Sequence, residues 1–354
     1  MANTYLFWDG ENPPAGWTVV SNSGGPFYHR FIRGNSTYGG TGGSETHTHT
    51  LSNFSCTGPS RTTNSIIPAG QKNYATHAHT HGIGTISCQS ASSLPQYREL
   101  IVIRYTGEPS TLPAGIIAIF DETPPSGWTR YSEQDGYYIR GSDSAGATGG
   151  SNTHSHTVSG ATGASDANNP GQGGPTNLPN STHDHGLNAT SSSSSNEPPY
   201  ITVYLGKKDT DGAIPTGLIA MFDGTPSSNW EVLSDEGGPF YQKFLKPAND
   251  YGTTGGSETH THTVIGTTGY ETSWDGFSAG FVGPNPVTAA MRHEHRISAN
   301  LDSASHLPPY IDVIFAKYTG APPPPPPPPK HPTTHLDKGP HPRSRMTFYP
   351  RLGL

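Results

Sequence analysis

The sequence predicts an all-β protein built from three tandem modules, and three observations carry that expectation. Glycine (44 residues) and proline (35) are abundant while only 31% of the chain is hydrophobic, too little apolar material for a large helical core. One order of motifs runs three times along the 354 residues. No segment has a convincing helical period, whereas the apolar runs are short and bounded by turn residues, as strands are.

Each unit opens on an apolar strand and a proline-rich turn to tryptophan: TYLFWDGENPPAGW ends at Trp17, GIIAIFDETPPSGW at Trp128 and GLIAMFDGTPSSNW at Trp230. A second strand follows in GGPFYHRFIRG, DGYYIRG and GGPFYQKFLKP. A glycine-rich bend, YGGTGGSE, AGATGGSN or YGTTGGSE, then delivers the chain to a His-x-His motif. After a variable loop comes a second His-x-His, and the unit closes on LPQYRELIVIRY, EPPYITVYLGKK or LPPYIDVIFAKY. Period-2 alternation puts Ile201, Val203 and Leu205 on one face of the second closing strand. The units span residues 1–106, 112–208 and 213–318, joined by TGEPSTLP and DTDGAIPT. Their thin cores are expected to be shared between strands or between chains.

Residues 321–354 differ in kind. Pro322 to Pro329 predict a stiff polyproline II rod. The basic segment after it reads either as a disordered tail or as a docking peptide anchored by Phe348, Tyr349 and Leu352. The net charge of −7 and the absence of a lysine or arginine stripe argue against nucleic acid as a partner. No apolar run is long enough to span a bilayer, and the start lacks the pattern of a signal peptide, so synthesis in a cytoplasm without export is expected.

Histidine placement is the strongest chemical signal. Thirteen of the 18 histidines lie in the paired motifs: His47 and His49, His154 and His156, His260 and His262 in the first set, and His77, His79 and His81, His183 and His185, His293 and His295 in the second. On a strand, residues two apart share a face, so each motif presents two imidazoles while the residue between them faces away. Neutral imidazole suits zinc, iron, nickel or copper. Two ligands bind weakly, which leaves two metal arrangements: four histidines from both motifs of one unit around tetrahedral zinc, or three copies of one motif around an axis, giving six ligands in an octahedron. Beside them stands a metal-free ladder of hydrogen-bonded histidines.

The ordered set PPSGW, YIRG, GATGGSNTHSHTVSGATG, HDHG and NEPPYITVYLGKK resembles the tail-collar and distal tail-fibre modules of tailed bacteriophages, over about 300 residues. The resemblance implies an intertwined homotrimer in the virion tail, in contact with other tail or baseplate subunits through the N-terminus or residues 321–354. It implies iron or zinc held by His47, His49, His79, His81, His154, His156, His183, His185, His260, His262, His293 and His295. His77 departs from the pattern; alignment on Gly82 and Gly186 favours His79 and His81 as the pair. Three units in one chain also fit a monomer that imitates the trimer. A non-viral filament or adhesin subunit of the same modules is the alternative.

Cys56 and Cys88 each lie seven residues beyond a His-x-His motif, and strands running the same way around one axis would bring them within range of a disulfide. An enzyme is not expected. The cupin pattern needs a glutamate shortly after His-x-His, and TLSNF, TVSGA and TVIGT stand there instead. Attachment to a host-surface glycan is the expected activity, with the loop carrying Tyr270, Trp274, Asp275 and Phe277 as its candidate contact, since aromatic faces beside carboxylates hold sugars.

Overall fold

Three opening strands, Thr4–Trp8, Ile117–Phe120 and Leu218–Phe222, are almost wholly apolar and buried. Such continuous apolar runs imply burial on both faces of a sheet, and the pairing shows how this arises. In the computed structural model, which describes residues 2–59, 81–164, 184–269, 294–320, 346–350 and 353, these strands pair antiparallel with one another: Phe7 opposite Ile117, Ile119 opposite Ile219, Thr4 opposite Phe222. Each also pairs antiparallel with the closing strand of its own repeat, Tyr97–Tyr105, Tyr200–Lys208 or Tyr310–Tyr318. Among the described residues the helical content is a single 3-10 turn, Ser132–Gln134.

The closing strands leave their own repeat on their other side. Tyr97–Tyr105 runs parallel to Tyr138–Gly141 of the second repeat, Tyr200–Lys208 to Phe244–Pro247 of the third, and Tyr310–Tyr318 back to Phe31–Gly34 of the first. The exchange is cyclic, and the pairings close into a barrel within a 15-stranded sheet. Residues 1–320 consequently form one compact body rather than three; residues 321–354 form a second unit.

Alternation sorts the strand residues into two cores. Phe7, Val102, Ile119, Met221 and Phe315 share one, together with Ile201, Val203 and Leu205, which lie on one face as their spacing predicts. Leu6, Ile103, Ala118, Phe120 and Phe222 occupy the other, where Trp17, Trp128 and Trp230 pack. The tryptophans that mark the repeats in the sequence cover the second face: Trp128 meets Phe120 edge-on at 5.0 Å and Trp230 meets Phe222 at 4.8 Å.

A polar version of the same exchange lies at the parallel pairings. Arg33 donates to Asp312 through Nε (2.7 Å) and Nη2 (3.1 Å) and stacks 3.8 Å from the Tyr310 ring centroid. Arg140 stacks on Tyr97 near Glu99, and Lys246 stacks on Tyr200 and pairs with Glu197. In each case a cation of one repeat docks on the closing strand of the preceding one. Cation–π attraction and a partly desolvated ion pair act together there.

The bends before the first His-x-His motifs demand glycine. Gly43, Gly150 and Gly256 have φ of 75°, 68° and 75°, and a Cβ at any of them would lie 2.0 Å from a proline carbonyl oxygen, that of Pro308, Pro95 or Pro198. Both the left-handed backbone and the backbone-to-backbone approach exclude a side chain. Gly150→Ala is expected to cost about 2–4 kcal/mol from combined strain and overpacking. A urea midpoint within error of wild type would show that the bend yields instead.

Candidate metal centre

Beyond those glycines the chain enters short strands that carry the first motifs: Thr46–His47, Thr153–His154 and the start of Thr259–Thr267. They pair with Ala91–Ser92, Ser194–Ser195 and the end of His295–Ser305. Thr48, Ser155 and Thr261, between the histidines, are exposed, while His49, His156 and His262 are buried and His47, His154 and His260 half-buried. The strand period therefore turns both imidazoles inward, as expected.

All six converge. The ligand-capable nitrogens of His47, His49, His154, His156, His260 and His262 lie within 4.8 Å of one another. His47 Nε2 and His49 Nε2 are 3.2 and 3.1 Å from His260 Nε2, and His262 Nε2 is 3.3 Å from His154 Nε2. An octahedral ion with metal–nitrogen bonds of about 2.1 Å needs neighbouring nitrogens about 3.0 Å apart and opposite ones about 4.2 Å apart. The cage is a few tenths of an ångström wide of that. Of the two arrangements open in the sequence, this is three copies of one motif, and a single chain supplies all three.

The second histidine of each motif is held in one tautomer. His49 Nδ1 donates to Asp302 O (2.6 Å), His156 Nδ1 to Gln89 O (2.8 Å) and His262 Nδ1 to Ser192 O (2.6 Å). A carbonyl can only accept, so the hydrogen sits on Nδ1 and the Nε2 lone pair points into the cage. His156 Nε2 is buried with no hydrogen-bond partner. Each of these carbonyls belongs to the preceding repeat in the cycle. Inward lone pairs, an orphaned nitrogen and backbone-anchored rings are the donor set a cation completes.

Protonation opposes this arrangement. Burial, and then repulsion among the rings, lowers the pKa of His47 to about 3, of His154 to about 4 and of His260 to about 2; His156 and His262 are also lowered, by burial first. In the unfolded chain these groups take up protons below the ordinary 6.5, whereas the folded chain resists to those lower values. Their contribution is therefore complete above pH 6.5 and declines as pH falls toward the folded values. Urea midpoints in metal-free buffer should fall steadily from pH 7 to pH 4, and a flat profile would contradict the neutral cage.

Three further imidazoles form a second cluster. His81, His185 and His295 are buried, with ring centroids 4.8 Å apart in each pair. His81 Nδ1 donates to Gly163 O (2.8 Å) and His185 Nδ1 to Gly269 O (2.9 Å), repeating the carbonyl anchoring of the first cluster. Asp184 and Glu294 are not among the gathered groups. His77, His79, His183 and His293 lie outside the described residues, as do Tyr270, Trp274, Asp275 and Phe277. Cys56 faces Ile297 across one pairing and Cys88 faces Val158 across another; both belong to the small apolar core between the two clusters' strands.

Sequence reasoning missed the partners of the first-position histidines. His47 Nδ1 lies 3.0 Å from Ser93 Oγ, and His260 Nδ1 lies 2.8 Å from His306 Nδ1. Ser93, Asn196 and His306 occupy equivalent places just before the closing strands, and all three are buried. Their differing identities hid the equivalence.

These features define an all-β protein with a closed six-imidazole centre in a single chain. Comparison with known proteins gave no matching family model, no matching curated protein and no matching solved structure. No helix among the described residues is long and apolar enough to cross a membrane.

Proposed function

We propose that the protein is a structural fibre or collar component of a phage tail, in which three collar-like modules of one chain do what three chains do in the family it resembles. The observation that carries this reading is the convergence of His47, His49, His154, His156, His260 and His262 on one point. Six nitrogen donors in an octahedral cage favour iron over zinc, whose structural sites are almost always four-coordinate. The ion would cross-link all three repeats, and His81, His185 and His295 would contribute to a second site. Six protein ligands leave no open position for a substrate, so the centre acts as a clamp and not as a catalyst.

Host attachment belongs to the same proposal. The loop with Tyr270, Trp274, Asp275 and Phe277 is its candidate glycan contact, on the strength of its residue types. Met346, Phe348 and Tyr349, each more than 90% exposed, suit a docking segment for another tail or baseplate subunit. Native mass spectrometry with elemental analysis tests the core of the reading. The expected species is a single 37.5 kDa chain carrying a first-row transition metal. A metal-free chain would overturn the clamp, and a mass of three chains would return the homotrimer. Trp274→Ala should weaken binding to host cells or glycan arrays; unchanged binding would remove that contact.

A further inference from the structure

The hexad is cyclic in its backbone but not in the groups that support it. The first-position histidines are supported in three different ways. His47 Nδ1 faces the Ser93 hydroxyl at 3.0 Å. His154 Nδ1 is buried without a partner, and the equivalent residue, Asn196, spends its amide hydrogens on Leu94 O (2.9 Å) and Ser151 O (3.2 Å). His260 Nδ1 faces another imidazole, His306 Nδ1, at 2.8 Å, and His306 Nε2 lies 3.3 Å from Glu197 O.

Hydrogen counting fixes this last chain. Glu197 O can only accept, so His306 carries its hydrogen on Nε2 and offers a lone pair at Nδ1. His260 must then carry its hydrogen on Nδ1, which leaves its Nε2 lone pair directed into the cage. The short contact and the backbone anchor at the far end make His306 a better acceptor for a ligand's N–H than the serine hydroxyl of the first repeat, or than Asn196 of the second, whose buried Oδ1 makes no hydrogen bond. An acceptor at the outer nitrogen raises the basicity of a metal-bound imidazole and fixes its ring.

We propose that His306 is a positioning residue that makes His260 the dominant ligand of the hexad, so that a bound ion sits in a field of lower than three-fold symmetry. The inference rests on the metal reading above. Nothing in the motif spacing of the sequence points to it, because His306 stands alone, outside every His-x-His pair.

The test uses the full-length protein loaded with zinc, which is diamagnetic, and long-range proton–nitrogen correlation of labelled histidines. His260 is expected as the Nδ1–H tautomer with Nε2 metal-shifted, and His306 as the Nε2–H tautomer. In parallel, His306→Ser and His306→Asn install the residues of the first and second repeats. Both variants, loaded with cobalt, should release it to a chelator at least about ten-fold faster than wild type. Their cobalt electron paramagnetic resonance should also differ from wild type in rhombicity.

A wild type that takes up neither metal fails the clamp reading itself. Metal uptake with His306 protonated on Nδ1, or with variant release rates and spectra unchanged, overturns this inference alone. The tautomer measurement needs no variant, so it decides the matter even if both substitutions prevent folding.

Discussion

Replacing His49, His156 and His262 together by alanine is expected to abolish metal uptake at the hexad and to lower the melting temperature by about 10 °C in the presence of the ion. These three are the buried, tautomer-locked members of the cage, and each spans two repeats through a carbonyl of its neighbour. Three imidazoles remain, too few to saturate an octahedral ion. Binding at a thousand times the dissociation constant stabilises a fold by about 4 kcal/mol, and each kcal/mol moves the midpoint of a large domain by about 2–4 °C. The comparison without metal is the more telling half. The empty wild-type cage crowds six imidazoles, three of them with lone pairs turned inward by their carbonyl partners, so with chelator present the wild type should fall to the level of the variant. Replacing the outward Thr48, Ser155 and Thr261 instead should change neither property. A triple histidine variant that melts with the wild type in excess metal would mean that the cage is not what binds the repeats together.

Asp312→Ala is the second large effect. It removes the acceptor of Arg33 Nε and Nη2 and of Asn35 Nδ2, and leaves the Arg33 guanidinium buried beside Tyr310. The side chains of Arg33 and Asp312 are only 10% and 6% exposed, so the stranded charge cannot recover its hydration. Breaking a buried pair from one side costs about 3–5 kcal/mol. Glu133→Ala, which breaks the Arg98 pair where the carboxylate is 64% exposed, should cost below about 1 kcal/mol. Urea midpoints of the two variants give the contrast directly. Equal losses would show that the first pair is as well hydrated as the second.

The ingredients of the site were legible because strands have period 2. His47-Thr48-His49 and its counterparts could be read as paired imidazoles with an outward spacer from spacing alone, and the structure turns them that way. Likewise Trp17, Trp128 and Trp230, the anchors on which the three motif orders align, are buried over one sheet face. What spacing could not reveal is which repeat pairs with which. The parallel pairing of Tyr310 with Phe31 joins the two ends of the folded body, and nothing local in LPPYIDVIFAKY or FYHRFIRG specifies it. The carbonyls of Asp302, Gln89 and Ser192 were equally invisible, since backbone acceptors leave no trace in residue identity. His306 leaves no repeating signal, because serine and asparagine fill its place in the other repeats.

The return of the last closing strand to the first repeat has a kinetic meaning. Arg33 and Asp312 meet across 279 residues, so the barrel cannot close until nearly the whole of residues 1–320 has been synthesised. Closing so long a loop costs entropy only logarithmically in its length, but such non-local contacts form slowly. With these pairings all made within one chain, refolding rates are expected not to depend on protein concentration, as the joining of separate subunits would. The same topology leaves a chain that stops before Tyr310 with Phe31–Gly34 unpaired along one edge, open to a strand from another such chain.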